Sequence, residues 1–224
     1  GRIDLALTTL ADAVKTHPGE AGLRLLQVEL LVEQGDLDEA LGVYQDLIAS
    51  DPDNLEYKTN FARLLLKQDR KDEAEAFLRG VAEAAASTPK PKLLLVDFLY
   101  SQRGFAPAET ALLGFVQQYP DEPAYRFSLA EVYLKQEDGA QAIRVYREII
   151  ALDKTGPKGL IARAALAQVL MAQGDKDAAR ALIAEVLKID PLSTEALFLR
   201  ARDRLEQGDN QGAIANLRTL LRER

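Results

Sequence analysis

Alanine recurs at Ala6, Ala40, Ala74, Ala108, Ala142, Ala179 and Ala213, in steps of 34 residues except for one of 37. Glutamine keeps the same beat at Gln34, Gln68, Gln102, Gln136, Gln173 and Gln207. The long step falls across "KTGPKG", Lys154 to Gly159, which carries three extra residues. A period of this size, held in one phase by two residue types, restricts the chain to a stack of like units. One unit cannot bury its apolar face alone, so its neighbours must supply the rest of the core.

Each period holds two helical patterns. Leu94, Leu95, Phe98 and Leu99 show the apolar spacing of the first. A turn follows, written "QGD" at 34–36, 173–175 and 207–209. Its glycine suits a left-handed helix end, and its aspartate suits the N-cap of the next helix. Asp36 with Glu39 and Asp138 with Gln141 have capping-box spacing. The second helix is expected to stop at "DP", Asp51-Pro52 and Asp190-Pro191, because proline cannot continue a helix interior. The recurring alanines fit a close approach of two helix axes, where a larger side chain would cost about 1–3 kcal/mol. Ala, Leu, Glu, Lys, Gln and Arg dominate, and all favour helix. The expected fold is therefore all-α.

These residues resemble the tetratricopeptide repeat family, whose unit reads W-x2-L-G-x2-Y, then A-x3-F, then P. Ala40/Tyr44/Pro52, Ala108/Leu112/Pro120 and Ala179/Ile183/Pro191 fill the second half of that pattern. The first half is more degenerate. Its tryptophan slot holds Arg24, Lys58, Lys92, Arg126, Arg163 and Leu197, and its glycine slot holds Val28, Ala62, Val96, Ala130, Ala167 and Ala201. Its tyrosine slot holds Leu31, Leu65, Leu99, Tyr133, Leu170 and Arg204. In the last repeat Arg200 and Arg204 stand where apolar core is usual, so they are expected to be paired, exposed or part of a different packing.

The resemblance implies a right-handed α-α superhelix, a solenoid of antiparallel helix pairs. Six repeats are expected at about 21–54, 55–88, 89–122, 123–159, 160–193 and 194–224. Residues 1–20 align with 35–54 and read as the lone second helix of a partial repeat, as if the chain began inside a longer array. Two junctions depart from the pattern, "AEAAASTPKPK" at 82–92 and "DKTGPKG" at 153–159, either as hinges or as longer loops.

Members of the family bind peptide or protein segments along a concave face lined by first helices. Transferred here, the groove candidates are Leu25, Glu29, Arg63, Asp97, Tyr100, Phe127, Glu131, Gln168, Met171, Phe198 and Arg202. Phe127 and Phe198 stand where other repeats have Leu25, Thr59, Leu93 and Ala164, so they are either partner anchors or rings packed inward. The charges Glu29, Arg63, Asp97, Glu131 and Arg202 also fit a solvated face. A clamp for a chaperone tail's C-terminal carboxylate, known in some members, needs a lysine and asparagine on one first helix. No such pair occurs, and Asn60 and Lys90 are isolated partial matches.

Catalysis finds no support in the sequence. The one histidine, His17, occupies the junction slot of Asp51 and Asp190 and reads as an exposed turn residue. Pairs such as Asp36/Asp38, Asp51/Asp53 and Asp175/Asp177 lack the glycine and distal glutamate of a calcium loop, and helix capping accounts for them. No cofactor or metal is expected. A net charge of -7 disfavours a general nucleic-acid footprint. The absence of cysteine excludes thiolate sites and fits either cytosol or periplasm. No apolar run reaches the length of a membrane span. The expectation is a non-catalytic scaffold for a protein or peptide partner. Similarity to bacterial arrays extends this to cytoplasmic, periplasmic or envelope settings. The alternatives are a structural module self-associating through open solenoid ends, or a regulatory segment of a larger protein.

Overall fold

The computed structural model describes residues 1–222. In chain order its helices are α1 (Arg2–Thr16), α2 (Ala21–Gln34), α3 (Leu37–Ser50), α4 (Leu55–Lys67), α5 (Lys71–Ala84), α6 (Pro89–Arg103) and α7 (Phe105–Gln118). There follow α8 (Pro123–Lys135), α9 (Gly139–Asp153), α10 (Pro157–Gln173), α11 (Lys176–Ile189), α12 (Thr194–Glu206) and α13 (Asn210–Arg222). There is no strand among the described residues. Consecutive packed helices are joined by short turns, so they run antiparallel. The fold is all-α, built from stacked helix pairs.

Two compact units divide the chain, Gly1–Gly104 and Phe105–Arg224. In the first, each helix from α1 to α6 packs on the next. In the second, each helix from α7 to α13 packs on the next, and α10 also meets α12. The division falls inside the 89–122 period, where Gly104 (φ 92°) is the only residue between two helices.

The turns follow from local chemistry. Gly35, Gly174 and Gly208 have φ of 95°, 88° and 81°, the left-handed region that glycine enters without strain. Asp138, Asp175 and Asp209 accept backbone N–H bonds from Gln141, Ala178 and Gly212 at 3.0, 3.3 and 2.9 Å. Asp36, expected to do the same, makes no such bond. Helices α3 and α11 end at Ser50 and Ile189, with Asp51 and Asp190 as C-caps before proline. The three inserted residues lengthen a helix: α10 begins at Pro157 and runs 17 residues, the longest of the set. Asp153 Oδ2 accepts from the Gly159 N–H at 2.8 Å to start it.

The core sits where the period places it. Ala40, Ala74, Ala108, Ala142, Ala179 and Ala213 have no exposed surface, whereas Ala6 is half-buried. Val28, Ala62, Val96, Ala130, Ala167 and Ala201 are buried opposite them on the first helices. Three residues of the degenerate tryptophan slot share one use. Lys92 Nζ donates to the carbonyls of Ala85 and Ala86, Arg126 to that of Pro120 and Arg163 to those of Lys154 and Gly159. In each case a cation satisfies at least one carbonyl of the junction just before its helix, near the negative end of the preceding helix. Lys92 thereby orders the 82–92 junction.

Candidate binding surface

The first helix of each sequence period is α2, α4, α6, α8, α10 or α12, and each of these carries groove candidates. Glu29, Arg63, Asp97, Glu131 and Gln168 are exposed, one each on α2, α4, α6, α8 and α10. Leu25, Tyr100, Phe127, Met171 and Arg202 are half-buried, and Phe198 on α12 is 53% exposed. Arg202 Nη2 lies 3.7 Å from Met171 Sδ, linking two of these residues across adjacent pairs. The Phe127 ring packs on Tyr146 with centroids 6.3 Å apart, so it is partly turned inward.

Two cavities on these faces share one register. In the first unit, Val28, Val32, Tyr44, Asn60, Arg63, Leu64, Leu66 and Lys67 line a space of about 490 Å³ between α2, α3 and α4. In the second, Leu134, Glu137, Gly139, Tyr146, Ala165, Gln168, Val169, Ala172 and Gln173 line one of about 330 Å³ between α8, α9 and α10. Tyr146 lies three periods after Tyr44, and Leu134 three periods after Val32. Ala165, Gln168, Val169 and Ala172 correspond to Asn60, Arg63, Leu64 and Lys67 once the insertion is counted. Each cavity therefore has a second-helix tyrosine at its base and the next first helix as its wall.

Polar groups gather at the first cavity. Arg63 Nη1 donates to Asn60 Oδ1 at 2.8 Å, and both residues act on the Tyr44 hydroxyl. Burial pushes the Tyr44 hydroxyl above its ordinary pKa, the Glu56 and Glu29 carboxylates adding to the rise, while Asn60 and Arg63 pull the other way. Burial likewise raises Tyr146, with Glu131 adding to it. Only Arg63 and Gln168 among the groove candidates line these two cavities. The tyrosines themselves, Asn60 and Lys67 were not among the candidates. Tyr44 reads from sequence as a packing residue of the second helix, and only the cross-repeat recurrence of tyrosine with Tyr146 hints otherwise.

A third cavity, about 510 Å³, lies along α12 and α13 and is lined by Leu192, Thr194, Glu195, Phe198, Leu217, Thr219, Leu220 and Leu221. Phe198 belongs to this space. No group of three or more His, Cys, Asp or Glu able to hold a metal occurs among the described residues. No helix among them is long and apolar enough to cross a membrane. His17 is exposed at the end of α1, its Nδ1 2.9 Å from Thr16 Oγ1.

Stacked helix pairs with side chains displayed on their first helices define a helical-repeat interaction scaffold. Tetratricopeptide repeat family profiles match residues 1–59 and 31–95, and again 93–157, 132–194 and 164–224, so the chain belongs to the tetratricopeptide repeat family. As such it is a protein-binding scaffold. It is 29% identical over 175 residues to the TPR repeat-containing protein YpiA of Bacillus subtilis (strain 168), covering 78% of this chain and 41% of that protein. It is 26% identical over 196 residues to Tetratricopeptide repeat protein 21B of Homo sapiens, covering 84% of this chain and 14% of that one. The chain thus spans less than half the length of either relative. Among solved structures it is similar to yeast Tom70, with a TM-score of 0.63 and 20% identity, covering 91% of this chain and 43% of that one.

Proposed function

We propose that this chain binds an extended segment of a partner protein along the face made by successive first helices. The observation that carries this reading is the recurrence of one cavity, tyrosine-based and open to solvent, in the same register of both units. A bound segment would place apolar side chains into such a cavity and run its backbone over the exposed residues of that unit, at 29, 63 and 97 in the first or at 131 and 168 in the second. Specificity then comes from which side chains rim each cavity. The division into repeats at 21–54 through 194–224 gives each cavity its two neighbouring units.

The test uses nonapeptides selected from a randomised display library against the chain. Asn60→Trp and Ala165→Trp place a bulky ring at the wall of one cavity each, on half-buried positions. Selected peptides are expected to lose affinity about tenfold or more for one or other variant, with thermal unfolding unchanged. Failure to select any peptide, or equal binding by both folded variants, would overturn the reading.

A second reading rests on the α12–α13 cavity. Its apolar lining, with Phe198 and Leu221 exposed by 53% and 73%, offers a surface for contact between copies of the chain.

A further inference from the structure

The two equivalent cavities share a frame but carry opposite charge. At the first, the cations Arg63 and Lys67 form part of the lining. Both are exposed, and neither has a carboxylate partner among the described residues. Arg63 donates only to the neutral Asn60 side chain. The carboxylates felt by Tyr44 are Glu29 on α2 and Glu56 on α4, and neither lines the cavity. At the second, the places of Arg63 and Lys67 are taken by Gln168 and Ala172. The charged lining residue there is Glu137, in the turn after α8, with Glu131 acting on Tyr146 from α8.

Chain-wide charge makes this contrast informative. The protein carries -7 overall, so an acidic ligand is repelled in general and attracted only where cations are locally uncompensated. Elsewhere in the first unit, Arg70 is held by Asp38 and Glu73, Arg79 by Glu75, and Arg103 by Asp72 and Glu75. Those guanidiniums are spent on structure. Arg63 is not: it lines the cavity and donates to Asn60, and its planar donor fork suits a carboxylate. Val28, Val32, Leu64 and Leu66 supply the apolar wall beside it.

Resting on the groove reading above, we infer that the Tyr44 cavity takes an apolar side chain flanked by a carboxylate, so that the first unit prefers an acidic peptide segment. The apolar group fills the space over Tyr44, and the neighbouring Asp or Glu pairs with Arg63 and Lys67. The Tyr146 cavity, without a cation, holds no such preference.

The experiment uses the full chain and three sets of fluorescein-labelled nonapeptides with a central Leu, flanked by Asp and Glu, by Asn and Gln, or by Lys and Arg. Their N-termini are blocked by the dye linkage and their C-termini amidated, so that a side-chain carboxylate is the only anion. Fluorescence anisotropy is read at low salt for wild type, Arg63→Glu/Lys67→Glu and Asn60→Trp. The acidic set is expected to bind about tenfold more tightly than the neutral set. That advantage should vanish in the charge-reversed variant and weaken as salt is raised. Equal binding of acidic and neutral sets, or an acidic advantage that survives charge reversal, would overturn the inference. The groove reading would then still stand if Asn60→Trp blocked the neutral set. No binding by any set would overturn both.

Discussion

Five turns place a residue in the same left-handed position, and they do not use the same chemistry. Gly35, Gly174 and Gly208 take it without a side chain, while Asp69 and Glu137 both enter it at φ 59°. For a residue with a Cβ this conformation costs about 1–2 kcal/mol, less for aspartate, whose short carboxylate can bond locally. Glutamate has no such relief. Glu137→Gly removes that strain and adds back unfolded-chain entropy worth roughly 0.5–1 kcal/mol, so a net gain of up to about 1 kcal/mol is expected. Glu137→Ala keeps the strain and should give no gain. Thermal unfolding followed by circular dichroism separates the two, and a lower midpoint for the glycine variant would count against this account. The same scale explains why the turns were readable: a glycine before a capping aspartate states its own dihedral angle. Glu137 could be placed there only by counting the period.

At the scale of elements, α11, α12 and α13 depart furthest from an apolar repeat. Arg180 on α11 reaches Asp203 on α12 with Nε and Nη2 at 2.8 and 3.0 Å, and Gln207 Nε2 adds a third bond at 2.5 Å. Asp203 is only 6% exposed. The Arg180 guanidinium holds its carboxyl below the ordinary aspartate value, and this outweighs the opposing effect of burial. A lowered folded-state pKa means the carboxylate stabilises the fold above the unfolded-state value and loses that contribution as pH falls through the folded one. Asp203→Asn is therefore expected to cost about 1–2 kcal/mol near neutrality and to flatten the acid limb of stability against pH. Arg180→Ala should cost more, because it strands a buried carboxylate. Chemical denaturation at neutral and acidic pH checks both, and equal losses at the two pH values would refute the linkage. Arg200 and Arg204, expected to be paired, exposed or part of a different packing, are half-buried: Arg204 pairs with Asp209, whereas Arg200 has no carboxylate partner among the described residues and its buried Nε makes no hydrogen bond. Arg200 Nη2 donates to Asn216 Oδ1 at 3.0 Å and Arg204 Nη1 to the Gly212 carbonyl at 3.1 Å. Burial and the neighbouring Arg204 lower the Arg200 pKa.

For the whole molecule, the strongest consequence concerns the apolar α12–α13 surface. Leu221, Phe198, Leu205 and Ile214 are exposed by 73%, 53%, 50% and 46%. Exposed apolar area of this kind favours association. Light scattering over a concentration series is expected to show mass rising with concentration, and Phe198→Glu with Leu221→Glu to hold the chain at monomer mass. A constant monomer mass for the wild-type chain would exclude this self-contact.

Period, helix positions, close-contact alanines, turn glycines and proline stops were all legible before any coordinates, because each depends on residues within a few positions of one another. The division at Gly104 was not, since it lies inside a period that reads as one repeat. Nor was the use of Lys92, Arg126 and Arg163, which looked like losses of an aromatic core residue and instead satisfy carbonyls at the preceding junction. The cavities over Tyr44 and Tyr146 were hidden for the same reason. Each is enclosed by three helices, and whether a tyrosine fills a core or floors an opening depends on how closely the next helix approaches. Local sequence dictates which helices form; only their packing decides what space is left between them.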